Sequence, residues 1–477
     1  MFDLVIRHGT IATAADIMKC DIGIQNGKIT ALGTNLTPGT TEIDASDRLI
    51  LPGGIDAHCH LAEPMTGNLV MADDFYSGTV AAACGGNTTI VPFARQFKGQ
   101  SLTDAVAYAR QQAAGKAIID YALHPIISDP TPEVLENELP SLIKAGYTSF
   151  KIYMTYEDLK LNDYEILSVL ALARREGALT MVHAENNDCL TWMIVQLEAA
   201  GQILPRYHAT SRPMVVEREA THRAISLSEL VDVPILIVHV SGREAIEQIK
   251  WAQNRGLRLY AETCPQYLFL TEEDLGEKLD DSFAGAKCVC SPPPRDKKNQ
   301  EAVWEGLLNG TFQIFSSDHA PFRYNDPQGK KIKGTNASFQ YIPNGVPGIE
   351  TRLPLLFSEG VNKQRMDVHQ FVTLTATNPA KLYGLYPQKG TITIGSDADL
   401  VIWNTKREVT ITNAMLHHDV DYTPYEGMQI QGYPETTISR GEVIWQEGEV
   451  KAQPGRGNFL PCGLSSLAQP KPVFKHS

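Results

Sequence analysis

Nothing in this 477-residue chain approaches the roughly 20 consecutive apolar residues of a membrane helix. The first residues, MFDLVIRHGTIATAADIM, lack the basic-then-apolar order of a secretory signal. Basic charge is scarce: 42 Lys+Arg against 55 Asp+Glu leave a net charge of −13. That argues against non-specific nucleic-acid binding, but not against an anionic substrate in a local site. The eight cysteines, at 20, 59, 84, 189, 264, 288, 290 and 462, include no CxxC pair. Neither a zinc ribbon nor a disulfide framework is indicated, and a reducing cytoplasm fits. No internal repeat of roughly 20–50 residues is visible. With 43% hydrophobic and 20% charged residues, the composition excludes a disordered chain, a collagen and a coiled coil.

What is present divides into two textures. Residues 1–50 alternate short β-type runs with turns. Asn26-Gly27, between DIGIQ and KITAL, predicts a type I′ hairpin, because both turn positions need positive φ. The same texture returns in TITIGSDADLVIWNTKREVTI and TTISRGEVIWQEGEV. The economical reading is one small β-sheet domain built from both termini, residues 1–50 and 386–455, with the middle inserted. Residues 51–385 alternate strands and helices. LILPGGIDAH, NTTIVPF, IIDYALH, YTSFKIY, LTMVHAE, PILIVHV, RLYAETC and FQIFSSD read as eight strands. Between them, YEILSVLALARREG places Ile166, Leu167, Leu170 and Ala173 near a 3.6 period, with Gly177 to end the helix. REAIEQIKWAQNRG repeats the pattern and ends at Gly256. Near-continuous apolar strands separated by helices imply a parallel sheet. Eight of them imply an α/β fold, the (β/α)8 TIM barrel, with its chemistry at the strand C-termini. Residues 456–477 are too poor in apolar side chains for a core of their own. They read as an extended tail reaching over a neighbouring subunit.

The strand ends carry the chemistry. His58 and His60 flank one residue, so on an extended strand they share a face and can chelate one metal. Two polar turn residues would look the same locally. Other strands end at Lys151, His183, His239 and Asp318. Five strands thus deliver metal-compatible groups to one rim. Imidazole and carboxylate without thiolate suit a hydrolytic zinc site, or a related divalent metal. Lys151 needs its own account, since a buried lysine is rare. Its ammonium repels a divalent cation, whereas the neutral amine adds carbon dioxide to give a carbamate, an anion able to bridge two metals. An ion pair with Asp318 accounts for the same lysine, and the local sequence does not choose.

LPGGIDAHCH, FKIYMTY, VHAEN, IVHVSG, AETCPQYL, VCSPPPR, SSDHAPF and IPNGVPGIETR occur in this order. Over essentially the whole chain they resemble the cyclic amidohydrolases, and among them the dihydropyrimidinase/hydantoinase family. The resemblance implies a homotetramer of TIM barrels, each with a β-sandwich, and two zinc ions per subunit, other divalent metals being admissible. Motif by motif, it implies that His58, His60 and Asp318 hold one metal and His183 and His239 the other. Lys151 would bridge them as N6-carboxylysine. It also implies that Tyr156 donates to the developing oxyanion, although a packed loop tyrosine would read alike. Asp318 would carry the proton to the departing nitrogen, and backbone groups at Ser291 and Asn344 would read the imide edge. A neuronal branch of the family keeps the fold without the metal ligands. All six ligand positions are present here, so a structural or signalling homologue is the weaker reading.

Substrate choice turns on one position. Dihydroorotases resembling this chain place Arg directly after HxHL, and allantoinase-like relatives place Asn there; HCHLAEP has Ala62. The loop MTGNLVM, with Met65, Leu69, Val70 and Met71, is apolar and either covers a hydrophobic exocyclic group or packs on the rim. The expectation is a cytoplasmic enzyme that opens 5,6-dihydropyrimidines and 5-substituted hydantoins to N-carbamoyl amino acids. Its partner is a small cyclic amide, neither nucleic acid nor membrane. An allantoinase- or dihydroorotase-like activity is the alternative. His8, His124, His208, His222, His369, His417 and His418 read as structural, and His319 as support behind Asp318.

Overall fold

The apolar runs of the middle segment become strands buried on both faces, and these roll into a nearly closed parallel barrel. The computed structural model describes residues 1–470. The barrel strands are β1 (Gly54–Cys59), β2 (Asn87–Arg95), β3 (Asp120–Tyr121 and His124–Ile126) and β4 (Ser149–Tyr153). They continue as β5 (Leu179–His183), β6 (Ile235–Ile237), β7 (Leu259–Thr263) and β8 (Ile314–Phe315). Beyond the end of β8, the Asp318 N–H donates to His58 O at 2.9 Å and the His60 N–H to His319 O at 2.7 Å, which brings the last strand back to the first.

The helices form as their patterns predict. Asp163–Glu176 starts at a capping box between Asn162 and Glu165 and stops at Gly177, whose φ of 76° only glycine adopts without strain. Arg243–Asn254 ends just before Gly256, also at positive φ.

Two strand readings are corrected. LILPGGIDAH is two strands, not one. Leu49–Pro52 pairs with Leu400–Thr410 in a terminal sheet, and Gly54–Cys59 enters the barrel. At Gly53 between them, a Cβ would lie 2.1 Å from the Thr88 hydroxyl, so only glycine permits the close crossing. The sixth and eighth strands also stop short of His239 and Asp318. Both residues lie past the last paired positions, with φ of 40° and 48°, so the backbone turns left-handed to aim them.

The termini form two further sheets. Lys28–Gly33, Asp21–Gln25, Phe2–Arg7 and Gly39–Asp44 make one, in that order. Asn26 and Gly27 form the expected hairpin turn, both at positive φ. The second sheet mixes the chain ends: Leu49–Pro52 lies between Leu400–Thr410 and Thr10–Ala12. Ile6, Ile22, Ile24, Ile50, Leu400 and Ile438 fill the space between the sheets. Lys389 joins this sandwich to the barrel, contacting Asp120 of β3 at 2.7 Å, Asp399 at 2.7 Å and Asp397 at 3.0 Å.

Residues 456–470 of the tail run across the N-terminal face of their own barrel. The Tyr121 N–H donates to Asn458 O at 2.9 Å, Leu460 N–H to Tyr121 O at 2.7 Å and Cys462 N–H to Gly146 O at 2.9 Å. The segment has few apolar residues, but Leu460, Cys462 and Ala468 are buried in the cluster that fills the barrel. Residues 471–477 of the expected tail lie outside the described residues. Leu460→Ala should therefore cost about 2–4 kcal/mol by leaving a cavity at the barrel base. An unchanged denaturant midpoint would show that the tail only rests on the surface.

Candidate metal centre and substrate cavity

At the opposite end of the barrel, three imidazoles are each anchored by a buried carboxylate. His58 Nδ1 lies 2.6 Å from Glu262 Oε1, and His60 Nδ1 lies 2.5 Å from Glu63 Oε2. His183 Nε2 lies 2.8 Å from Glu185 Oε2. A carboxylate accepts only, so each ring gives its N–H outward and turns a bare nitrogen into the site. For His58 and His60 that nitrogen is Nε2, and both face the same Asp318 oxygen, at 3.1 and 3.5 Å. His58, His60 and Asp318 are buried and place their ligand atoms within 4.8 Å of one another. Lone pairs converging on one point repel unless a cation sits among them, which is the donor set of a divalent metal site.

His183 and His239 form a second pair beside the first. Their ring centroids are 4.4 Å apart, and His239 is 5.4 Å from His58. His239 Nδ1 is buried without a hydrogen-bond partner. Lys151 sits between the groups, 1% exposed, with Nζ 2.9 Å from His58 Nε2 and 4.4 Å from the Phe93 ring centre. The structure does not pair Lys151 with Asp318 as an ion pair within 4 Å; its near neighbour is His58.

Electrostatics follow from burial and charge. Burial pulls the Lys151 pKa down to about 8, against Asp318, Glu262 and Glu63, which raises the share of neutral amine near neutrality well above that of an ordinary lysine. Burial raises a carboxyl pKa, but His58, His60 and His239 outweigh it and hold Asp318 well below the usual range. Burial alone would lower His60, yet Glu63 and Asp318 raise it. Burial lowers His183, and burial together with its neighbour His183 lowers His239 further. Burial raises the Tyr156 phenol, which keeps its proton.

These groups open into a cavity of about 380 Å³. Tyr156, Ser291 and Asn344 line it together with His60, Lys151, His183, His239 and Asp318, so every expected site residue except His58 reaches it; His58 lies behind them, bonded to Lys151. Tyr156 is held at φ 68°, and Asn344 Nδ2 donates to its oxygen at 3.2 Å. The Ser291 hydroxyl is buried and makes no hydrogen bond. Met65, Leu69 and Met71 form part of the wall, whereas Val70 is 47% exposed and does not.

Reading the sequence missed several residues. Glu185 and Glu63 follow their histidines by two and three positions, a spacing that could have suggested them. Glu262 comes from another strand, and nothing near His58 in sequence points to it. Arg95, at the end of β2, also lines the cavity. It is bonded to Asp158, lies 3.8 Å from Glu63 Oε1 and 3.5 Å from Met65 Sδ. A second cluster, Cys84, Glu350 and His417, lies outside the cavity lining. There both Glu350 oxygens are occupied by His417, at 2.7 and 2.9 Å.

Comparison with known proteins shows what the chain is similar to. The model of the Amidohydrolase family matches residues 49–444. The D-hydantoinase of Ralstonia pickettii is 47% identical over 459 residues, covering 96% of this chain and 98% of its own. A solved D-hydantoinase structure superposes with a TM-score of 0.94 at 46% identity, covering 98% of this chain and 100% of its own. A crystal structure of dihydropyrimidinase from Brevibacillus agri has a TM-score of 0.93 at 43% identity, covering 98% and 99%.

His60→Ala should lower the divalent metal retained per purified chain, because it deletes one of three converging donors. Metal content equal to wild type by elemental analysis would remove His60 from the ligand set.

Proposed function

The chain belongs to the amidohydrolase family, among the hydantoinases and dihydropyrimidinases, and from that premise we propose that it hydrolyses the ring amide of 5-substituted hydantoins and of 5,6-dihydropyrimidines such as dihydrouracil and dihydrothymine, to N-carbamoyl amino acids. The observation that carries this reading is the set of carboxylate-anchored imidazoles around Asp318 and Lys151, opening on a cavity of small-molecule size.

The donors fit two zinc ions, or related divalent metals, in nitrogen and oxygen content and in the absence of thiolate. His58, His60 and Asp318 would hold one, and His183 and His239 the other. Lys151 would join them as a carbamate, which forms from carbon dioxide and the neutral amine with loss of a proton. Its lowered pKa favours that amine. Bound metal supplies Lewis acidity, which activates water for attack at neutral pH.

The chain's own groups do the rest. Because the Tyr156 oxygen accepts from Asn344 Nδ2, its O–H proton is free to donate to the ring carbonyl as negative charge develops there. Asp318, held unprotonated, takes a proton from the attacking water and hands it to the departing ring nitrogen. The backbone at Ser291 and Asn344 reads the imide edge. Met65, Leu69 and Met71 give the exocyclic group an apolar wall.

The guanidinium in the cavity does not make it a carboxylate site. Arg95 is already engaged by Asp158 and flanked by Glu63, and Ala62 offers nothing. Homotetrameric assembly and a cytoplasmic location belong to the same proposal. All eight cysteines are free thiols, which supports a reducing compartment. No helix among the described residues is long and apolar enough to cross a membrane.

Tyr156→Phe should lower kcat by about 10²–10³-fold with metal content unchanged, the scale for one oxyanion donor. A near-wild-type rate would leave Tyr156 as packing alone. Steady-state assays with dihydrouracil, a 5-substituted hydantoin, allantoin and dihydroorotate test the activity itself. An unpaired buried carboxylate costs several kcal/mol, and about 1.36 kcal/mol is tenfold, so kcat/KM should favour the uncharged rings over dihydroorotate by about 10²-fold or more. Equal values would overturn the substrate reading while sparing the metal site.

A further inference from the structure

Among the buried charges outside the metal centre, Lys330 is held differently from the rest. Its side chain is 1% exposed, and its Nζ donates to Val289 O at 2.9 Å, Pro343 O at 2.7 Å and Gly345 O at 2.6 Å. All three partners are backbone carbonyls, and none is a carboxylate. An ammonium has three N–H donors and a neutral amine two, so three close acceptors call for the charged form. Burial works against that charge and draws the pKa down to about 7. Ordering a buried lysine also sacrifices side-chain entropy, up to about 2 kcal/mol.

The place of the three carbonyls shows what the clamp holds. Pro343 and Gly345 flank Asn344, and Val289 lies two residues before Ser291. These are the two positions expected to read the imide edge. The Gly345 N–H also donates to Val289 O at 3.0 Å, so the two loops are stitched directly and through the lysine. Asn344 in turn reaches the Tyr156 hydroxyl at 3.2 Å. One cation therefore stands behind both recognition loops and, through Asn344, behind the phenol. Lys330 is absent from the cavity lining, so it touches no substrate.

We propose that Lys330 is a positioning residue: its ammonium locks the backbone at 289 and 343–345 so that Ser291 and Asn344 present their groups to the imide edge of the substrate and Asn344 sets the Tyr156 hydroxyl. The inference rests on the functional reading above. It differs from a general packing role because it links a residue outside the cavity to one donor inside it.

Two measurements on the metal-loaded full chain test it. Hydrogen exchange of Lys330→Met, read by mass spectrometry without substrate, should show faster exchange at 289–291 and 343–346 than across the barrel strands. In steady-state kinetics with a 5-substituted hydantoin, the same variant should lose about 10²-fold in kcat/KM, the cost of displacing a positioned group. In a Tyr156→Phe background, that loss should shrink by at least about fivefold, a coupling of about 1 kcal/mol. Losses equal in both backgrounds within about twofold would mark independent sites and overturn the proposal. So would wild-type exchange at both segments. If Lys330→Met does not fold, Lys330→Arg keeps the charge but not the three-way fit, and the same cycle and exchange experiment decide. Exchange needs no turnover, so a wild-type chain inactive on every cyclic amide would refute the functional reading and leave the clamp to be judged by exchange.

Discussion

The Glu262 carboxylate, fully buried at the end of β7, is the contact on which the rest of the site depends. One of its oxygens meets His58 Nδ1 at 2.6 Å and accepts the His239 N–H at 3.2 Å; the other accepts the Ser316 hydroxyl at 2.9 Å. A single side chain thereby joins β1, the turn after β6 and the end of β8. It fixes which His58 nitrogen faces inward, and so the direction of the lone pair toward Lys151 and Asp318. A buried carboxylate is tolerable only when its lone pairs are filled. Here they are filled by the very groups whose placement matters, so the burial requirement and the geometric requirement are met together.

The same region holds unusual backbone. Tyr156, His239 and Asp318 all have positive φ, a conformation that side chains with a Cβ rarely adopt. Each such residue costs of order 1–3 kcal/mol and persists where its surroundings over-determine it. The surroundings do so here. The Asp318 N–H is bonded to His58 O, the His239 N–H to Glu262 and the Tyr156 oxygen to Asn344. Regular strand geometry would point these side chains alternately into the barrel and away from it. Leaving the strand early frees their direction.

Much of the fold was legible because it rests on periodicity. Continuous apolar runs mean strands covered on both sides, and the Asn162–Gly177 segment carries both of its helix caps in its own sequence. The candidate metal ligands were legible for a related reason, since several such runs end in metal-compatible side chains on one rim. What escaped notice depends on partners far away in the chain. Glu262 serves a histidine 204 residues distant, and Lys330 binds carbonyls whose position no side-chain pattern reveals. The tail's packing on its own barrel escaped notice because composition counts apolar residues, whereas packing needs only a few of them at the right spacing. Leu460, Cys462 and Ala468 suffice because the chain between them follows the rim with its backbone bonded. The split of LILPGGIDAH shows the same limit: alternation within a run cannot tell which of two sheets each half joins.

That bottom-face tail has a practical meaning for handling the molecule. The main chain leaves the described structure at Pro470, on the face of the barrel opposite the cavity. A linker spliced in directly after Pro470 would therefore start from the closed end, with the open mouth pointing away from whatever holds the protein. The polarity of the barrel, with its seal at one end and its chemistry at the other, thus gives the molecule a built-in orientation for immobilisation.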